Sequence, residues 1–570
     1  MIVDLSRLSC LGEALRDAVS TWKSNVALLE ADRHRETARY EYRELRAQAE
    51  RVAAVLQHGG FDAGARCAIL MSNQSKWVVS GLGALWAGAV LVPLDYKLSA
   101  AEQLQLLAHA RPSALIVEYP AWRLLVRDAG ARAALDGIRV LVSEPPDDEP
   151  LAGAERWEQP ARGALRFVMR GRSDVACVVY SSGTAGTPKG CMLTHDNYLE
   201  QAQSLARMFP MEEDDRYFSV LPTNHAIDFM CGMVIPFLYG AAVVHQRTLR
   251  AEFLAPTMKR YAVTHTALVP RILRALRERI EEQLEELPDW QRRAIDALSA
   301  ANDLATQRAP NHRLSRALLA PLHARFGGRL RMIFAGGAFV DPDLASFFYR
   351  LGFPVVIGYG LTEACTVLTV NDLRPFRATT VGKPVAGIEI ELRGRDADGV
   401  GEVYARGRTI MRGYLDADDL TRDALIDGWL RTGDLGTIDA SGHVRLLGRA
   451  KNMIVTDGGK NVYSEDVESA FERVDCEELC VLPSSHVSAR SAPGGEQLTL
   501  VVRPRKDASA SALAAQLLAV NVGLSQYKRV ASYLLWEPEF PRTASMKIKR
   551  GELAQQVRAA QGTALPLRGA

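Results

Sequence analysis

Tyr180-Ser181-Ser182-Gly183-Thr184-Ala185-Gly186-Thr187-Pro188-Lys189-Gly190 packs hydroxyls, glycines and a lysine into one short run. The apolar segment Val175 to Val179 leads into it and reads as a buried strand. Thr194 then caps a helical pattern with Tyr198, Gln201, Ala202 and Leu205 on one stripe. The spacing therefore predicts a strand-to-helix turn. Backbone N–H groups, hydroxyls and a cation on such a turn make a cradle for polyphosphate. The run is not a Walker A loop, because Pro188 precedes Lys189 and Gly190 follows it. It also lacks the G-x-G-x-x-G spacing of a dinucleotide fingerprint. By composition alone the competing reading is a Ser/Gly-rich surface loop, so the rest of the chain has to decide.

A chain of 570 residues is too long for one core, so two or more domains are expected. Its 69 Lys and Arg nearly balance 67 Asp and Glu, which argues against a nucleic-acid partner. Arg271 to Arg279 is followed at once by Glu281, Glu282, Glu285 and Glu286, the pattern of a solvated helix face. Cys67 and Cys177 sit inside apolar runs, as reduced thiols of a cytoplasmic protein would. Cys476 and Cys480 form a C-x3-C pair with no second pair nearby, a poor zinc site. Asp4, Arg7 and Glu13 interrupt the N-terminal stretch, which is no signal peptide. The longest uncharged run, Trp77 to Leu94, contains Gly81, Gly83, Gly88 and Pro93. It reads as a buried helix followed by a strand, so no integral membrane segment is expected.

From Leu11 to Val142, helical stripes alternate with short apolar runs. Leu45, Ala49, Val52 and Leu56 form a stripe ending at Gly59-Gly60, Cys67 to Met71 reads as strand, and Ser99 with Glu102 forms a capping box. Such alternation implies α/β architecture, with helices covering a parallel sheet. Tyr217 to Leu221 reads as strand, Ala226 to Tyr239 as helix, and Arg271 to Arg325 as a long charged helical section. From Thr380 short strands with glycine turns suggest a barrel-like subdomain over about 380–448. The expected domains are therefore 1–448, a large N-terminal domain of helix-covered sheets that includes this subdomain, and 449–570, a small mobile α+β domain.

Four further stretches carry chemistry. Tyr359-Gly360-Leu361-Thr362-Glu363 follows a strand and offers an aromatic ring, a hydroxyl and a carboxylate. Gly336-Gly337-Ala338 ends another strand, where small residues let a flat ligand approach the backbone. Asp434 follows a glycine turn, as ribose-binding carboxylates do. Pro541 to Arg550 is a polar, basic run near the C-terminus.

These stretches, in this order, resemble the adenylate-forming superfamily of acyl-CoA synthetases, peptide-synthetase adenylation domains and luciferases. The resemblance runs from about Leu11 to Arg550. The chain looks most like the long-chain fatty acyl-CoA synthetases, on three features: the helical section before Gly336-Gly337, Asp341-Pro342-Asp343-Leu344 after it, and Val455 to Tyr463 after the Arg449-Ala450-Lys451 turn. The resemblance implies an ATP-dependent, AMP-forming ligase. A carboxylic acid attacks the α-phosphate of ATP to give acyl-AMP and pyrophosphate, and a thiol then takes the acyl group. Cations and N–H donors must neutralise charge developing at the α-phosphate.

Carried over by residue, the resemblance implies that Ser181, Ser182, Gly183, Thr184, Gly186, Thr187 and Lys189 hold the β- and γ-phosphates. Thr184 and Glu363 flank Mg²⁺. Tyr359 stacks on adenine near Gly337 and Ala338, Gly360 shapes that turn, and Thr362 touches the α-phosphate. Asp434, helped by Arg449, takes the ribose hydroxyls. Lys547 contacts the α-phosphate and the substrate carboxylate, and His225 lies near that carboxylate. Lys451 is the hinge about which the small domain, with Lys547, turns after adenylation to bring Gly458-Gly459 to a thiol tunnel. The chain departs from the family at Ala185, Met546 and Ser464, where a hydroxyl residue, glycine and proline are usual. The acid is expected to be a medium- or long-chain fatty acid or another bulky apolar acid. Its pocket is expected between the His225 helix, the Val263 to Pro270 strand and the Gly336 to Thr362 turns, with Cys231, Gly232, Ala338 and Cys365 keeping it roomy. The acceptor is CoA or the phosphopantetheine of an acyl carrier protein. A lipid substrate would be compatible with peripheral membrane contact, although no anchor is visible. The competing class is a nucleotide-binding regulatory protein without catalysis, against which Lys547, Glu363 and Asp434 argue.

Overall fold

The computed structural model describes residues 4–151, 153–181, 189–248, 250–456, 461–487, 496–506, 508–542, 548–561 and 563–567. The chain divides into two compact units. One is Met1–Ile390 with Ala405–Arg431, and the other is Glu391–Tyr404 with Thr432–Ala570. The strands expected as a barrel-like subdomain before residue 448 are thus shared between the units.

The first unit is built on two large mixed sheets. In the eight-stranded sheet, Arg66–Leu70 lies parallel to Val90–Pro93 and Ala114–Glu118, and Val90–Pro93 lies parallel to Val175–Ser181. These strands are nearly continuous apolar runs because helices cover them. The helix Ser75–Trp86 and the strand Val90–Pro93 account for the uncharged run as buried interior. The helix Ala100–Ala110 opens on the expected Ser99/Glu102 capping box and stops before Pro112. The helix Tyr42–His58 buries Leu45, Ala49, Val52 and Leu56 and ends at Gly59.

The nine-stranded sheet holds Val26–Asp32, Ala242–Gln246, Arg216–Ser219, His265–Leu268, Met332–Ala335 and Val355–Tyr359 as successive parallel neighbours. Antiparallel strands close both edges. One edge is Arg35–Glu41, which forms a hairpin with Val26–Asp32 that the helix-and-strand alternation did not reveal. Its sequence RETARYE is polar and half-exposed, as suits an edge that must resist further pairing. The charged section is helical, as expected, over Pro270–Glu285, Asp289–Thr306, His312–Leu318 and Ala320–Arg325. The first of these helices buries Leu273, Leu276 and Ile280. On its outer face Arg277 pairs with Glu281 at 2.8 Å and Arg279 with Glu282 at 3.0 Å.

In the second unit, Thr432–Ile438, the later part of the strand Trp429–Ile438, runs into an antiparallel pairing with Val444–Arg449. A four-stranded sheet of Glu478–Pro483, Leu498–Arg503, Ser532–Leu535 and Leu565–Pro566 follows, with the helices Ser464–Ala470, Ala510–Gly523 and Arg550–Ala559. Its core gathers Val467, Phe471, Leu500 and Leu517. Ser464, where proline is usual, is buried and donates its hydroxyl to the Asn452 carbonyl at 3.1 Å. Among the described residues no helix is long and apolar enough to cross a membrane.

Candidate functional site

The glycine-rich run does not sit on a strand-to-helix turn. Val175–Ser181 pairs antiparallel with Lys189–Thr194, and the run links the two strands of this hairpin. Ser181 is the register partner of Lys189, and Tyr180 of Gly190. The helix His195–Met208 begins only after the second strand. Thr194 is its cap, as expected, accepting from Asn197 N–H at 3.2 Å while the Asn197 side chain accepts from Thr194 N–H at 2.8 Å. The return strand escaped notice because Cys191 to Leu193 is a short apolar run that merges with the helix cap. Gly190 allows the strands to close, since a Cβ there would stand 2.9 Å from Val178 Cγ1. Ser182, Gly183, Thr184, Ala185, Gly186 and Thr187 lie outside the described residues, as do Gly458, Gly459, Met546 and Lys547.

Glu363 meets the hairpin where that run begins and ends. Its carboxylate Oε1 accepts from the Tyr414 hydroxyl at 3.0 Å and, at the long limit of 3.4 Å, from Ser181 Oγ. The Glu363 carbonyl accepts from Met411 N–H at 2.8 Å. Tyr414 is placed by the short strand Gly413–Tyr414, which pairs with Lys189–Thr194 so that Tyr414 faces Cys191. Lys189 Nζ stands 5.1 Å from the Tyr414 ring centroid, within cation–π range. One phenol therefore contacts both the carboxylate and the lysine. Sequence reading missed it, and only its place in the dipeptide Gly413-Tyr414 could have hinted at it. On the other strand the Tyr180 hydroxyl bonds His109 Nδ1 at 2.7 Å, tying the hairpin to the helix Ala100–Ala110.

The turn carrying Glu363 is tightly determined. Tyr359 ends its strand, buried, and its carbonyl accepts from Leu368 N–H at 2.7 Å. A Cβ at Gly360 would collide with the Thr366 carbonyl oxygen. Cys365 and Thr366 have φ of 59° and 134°, and such strain in a β-branched residue is typical of functional turns. Thr362 and Glu363 lie in the single 3₁₀ turn Thr362–Ala364. Alongside, a Cβ at Gly336 would stand 2.8 Å from the Gly358 carbonyl oxygen, and Gly337 takes φ 79°. Gly337 and Ala338 are exposed, leaving a low lip beside the Tyr359 strand.

His225 caps the short helix Ala226–Phe229, and its Nε2 lies 3.5 Å from Asp95 Oδ2. That segment continues as the π-helical turn Met230–Val234 and the helix Ile235–Tyr239. It forms one wall of an apolar pocket with about 550 Å³ of empty space, its open mouth included. Cys231 lines this pocket as expected, but the Val263 to Pro270 strand, Gly232, Ala338 and Cys365 do not. Tyr217, Phe334, Val356 and Val370, from strands of the nine-stranded sheet, line it as well. Gly358 and Val367, which flank the Glu363 turn, complete it.

In the second unit, Asp434 and Arg449 are register partners, with Arg449 Nε 2.7 Å from Asp434 Oδ1. Asp434 is 7% exposed, and its backbone N–H donates to Thr432 Oγ1 at 3.1 Å. Lys451 lies in the exposed 3₁₀ turn Ala450–Asn452.

Among the described residues no three His, Cys, Asp or Glu side chains gather as a metal cluster. A divalent ion here would rest on Glu363 and on phosphate oxygens, a donor set that suits Mg²⁺. The low glycine lip beside Tyr359 likewise fits a flat nucleotide base.

Fold and site together define an α/β protein with an apolar pocket beside the Glu363 turn. Residues 15–415 match the AMP-binding enzyme family, and the chain belongs to it. The long-chain-fatty-acid–CoA ligase FadD15 of Mycobacterium bovis is 29% identical over 417 residues, covering 71% of this chain and 68% of its own. The indoleacetate–CoA ligase of Aromatoleum aromaticum is 26% identical over 527 residues, covering 90% and 93%. The crystal structure of the anthranilate CoA ligase AuaEII with anthranoyl-AMP has a TM-score of 0.78 at 22% identity, covering 98% of this chain and 99% of its own. The chain is an AMP-forming acyl-CoA synthetase, an enzyme that uses ATP, Mg²⁺ and CoA.

Proposed function

We propose that this synthetase activates a medium- or long-chain fatty acid, or another bulky apolar acid, and passes the acyl group to CoA in the cytoplasm. The supporting observation is the apolar pocket walled by Gly358 and Val367, the residues on either side of the turn that carries Glu363. An acid seated there has its hydrocarbon part in the pocket and its carboxylate toward that turn. The long-chain-fatty-acid specificity of FadD15 and the aromatic acid of the indoleacetate ligase, as their names give them, both fall within this class.

ATP supplies the electrophilic phosphorus when bound. In this reading Ser181, Ser182, Thr184 and Lys189 hold the β- and γ-phosphates. Lys189 brings the cation, and Tyr414 keeps it beside Glu363. Glu363, with Thr184, carries Mg²⁺, and the Tyr414 hydroxyl holds its carboxylate in one orientation. Tyr359 takes the base beside Gly337, and Thr362 bonds the α-phosphate. Asp434 takes the ribose hydroxyls while Arg449 fixes its rotamer. His225, oriented by Asp95, borders the substrate carboxylate. Lys547 neutralises charge at the α-phosphate, and rotation about Lys451 then withdraws it for thiol transfer. The free state of the eight cysteines suits a reducing compartment. A carrier-protein phosphopantetheine is the competing acceptor.

Pyrophosphate release tests the reading. Lys547→Ala is expected to slow it about 10²- to 10³-fold, the scale of one transition-state charge partner. Release unaffected by that change would remove Lys547 from the mechanism. Supplying CoA and an acyl carrier protein in turn decides the acceptor.

A further inference from the structure

Two buried polar atoms of this region have no hydrogen-bond partner, and the first of them belongs to a side chain that lines the pocket. They are the Tyr217 hydroxyl and Asp228 Oδ1. Tyr217 is 1% exposed and Asp228 0%. The rest of the Asp228 carboxyl is well served: Oδ2 accepts from Ser219 Oγ at 2.7 Å and from Thr223 Oγ1 at 3.2 Å. The Ala267 amide lies close to the Tyr217 hydroxyl but does not reach bonding geometry. Gly232 leaves room for the buried carboxyl, since a Cβ there would stand 2.7 Å from Asp228 Oδ1. The π-helical turn Met230–Val234 lies next in the chain and carries Cys231 on the pocket wall. Apart from the weakly bonding sulfurs of Met211 and Cys231, the other lining side chains, such as Leu205, Phe209, Phe334, Val356 and Val370, have no hydrogen-bonding group.

A buried polar atom without a partner is costly, and in native structures a ligand, an ion or an ordered water usually meets it. A plain alkyl chain in this pocket would leave the Tyr217 hydroxyl as orphaned as before. A charged group would find no counter-ion, because the lining contains no cation. A neutral group that donates or accepts satisfies the site. We propose that the hydrocarbon part of the acid carries an uncharged hydrogen-bonding group, a hydroxyl or a ring N–H, that pairs with Tyr217. Tyr217 is then the residue that sets specificity in the pocket. The inference rests on the ligase reading above and narrows its acid class.

Matched acids test it. Decanoate is compared with its terminal hydroxy form, phenylpropanoate with its ring-hydroxylated forms, and naphthylacetate with indolylacetate, each by pyrophosphate release. The wild type is expected to favour the polar member of at least one pair by roughly 10- to 100-fold in kcat/KM, the worth of one buried hydrogen bond. Tyr217→Phe should bring that ratio below about 2-fold, mainly through KM, because the lost bond is to the substrate. Its melting temperature without acid should equal or exceed that of the wild type, since the deleted hydroxyl had no partner. Equal or better use of the plain member in every pair overturns the inference and leaves the ligase reading standing. A preference that survives Tyr217→Phe, or a lower melting temperature for that variant, also overturns it. Release with no acid of either kind removes the ligase reading and this inference with it.

Discussion

Replacing Glu363 with glutamine keeps the side chain's shape and removes its charge. The Tyr414 hydroxyl can still donate to the amide oxygen across 3.0 Å, and the Met411 N–H bond goes to the backbone carbonyl and is untouched. A hydrogen bond to an ionised acceptor is roughly twice as strong as a neutral one, so the fold should lose no more than about 1 kcal/mol. Catalysis should suffer far more. The carboxylate is the single acidic side chain proposed to hold Mg²⁺, and removing one preorganised charge partner slows such reactions about 10²- to 10³-fold. The assay is pyrophosphate release across a Mg²⁺ titration, read beside a thermal melt. The expected result is a melt close to the wild type, a rate loss on that scale, and a higher Mg²⁺ requirement. A rate within a few-fold of the wild type and an unshifted Mg²⁺ dependence would refute the role given to Glu363.

Two further perturbations probe the frame around the site. Burial raises the Asp228 carboxyl to about 7, despite hydrogen bonds from Ser219 and Thr223 that lower it. A folded pKa above the unfolded value of 3.8 means the native state binds the extra proton. Stability from this group is therefore fullest at low pH, falls as pH rises from about 4 to 7, and is level beyond. Asp228→Asn should cancel that fall, so the melting-temperature difference from wild type grows through this window, and parallel pH profiles would contradict it. Gly360→Ala drives a Cβ into the Thr366 carbonyl oxygen, a backbone atom that cannot swing aside. It should destabilise the turn and lower adenylation together, and a variant as stable and as active as the wild type would show that the contact is not limiting.

What the sequence disclosed was mostly local. The Ser99/Glu102 box, the Thr194 cap and the Gly59 stop are decided within a few residues, so their signals survive without tertiary context. The hairpin return Lys189–Thr194 did not show, because a six-residue strand running straight into a capped helix carries no turn signal between them. The polar edge strand Arg35–Glu41 hid for the opposite reason, since its alternation serves an exposed rim. Asp434 and Arg449 were assigned to one ribose through the family likeness, and in the fold they are register partners across two strands. Tyr414 meets Glu363 across 51 positions of chain, and Tyr217 lies close enough to the Asp228 carboxyl to feel its charge. Such contacts are set by sheet order, which no periodicity in the sequence records.

Because Ser181 and Lys189 are cross-strand neighbours, the segment between them leaves and rejoins one sheet at adjacent rungs. Its length can change without altering which face either anchor presents, whereas a one-rung slip of the strands would turn Lys189 away from Tyr414. The two anchors are thus fixed by the sheet itself, whatever the sequence between them.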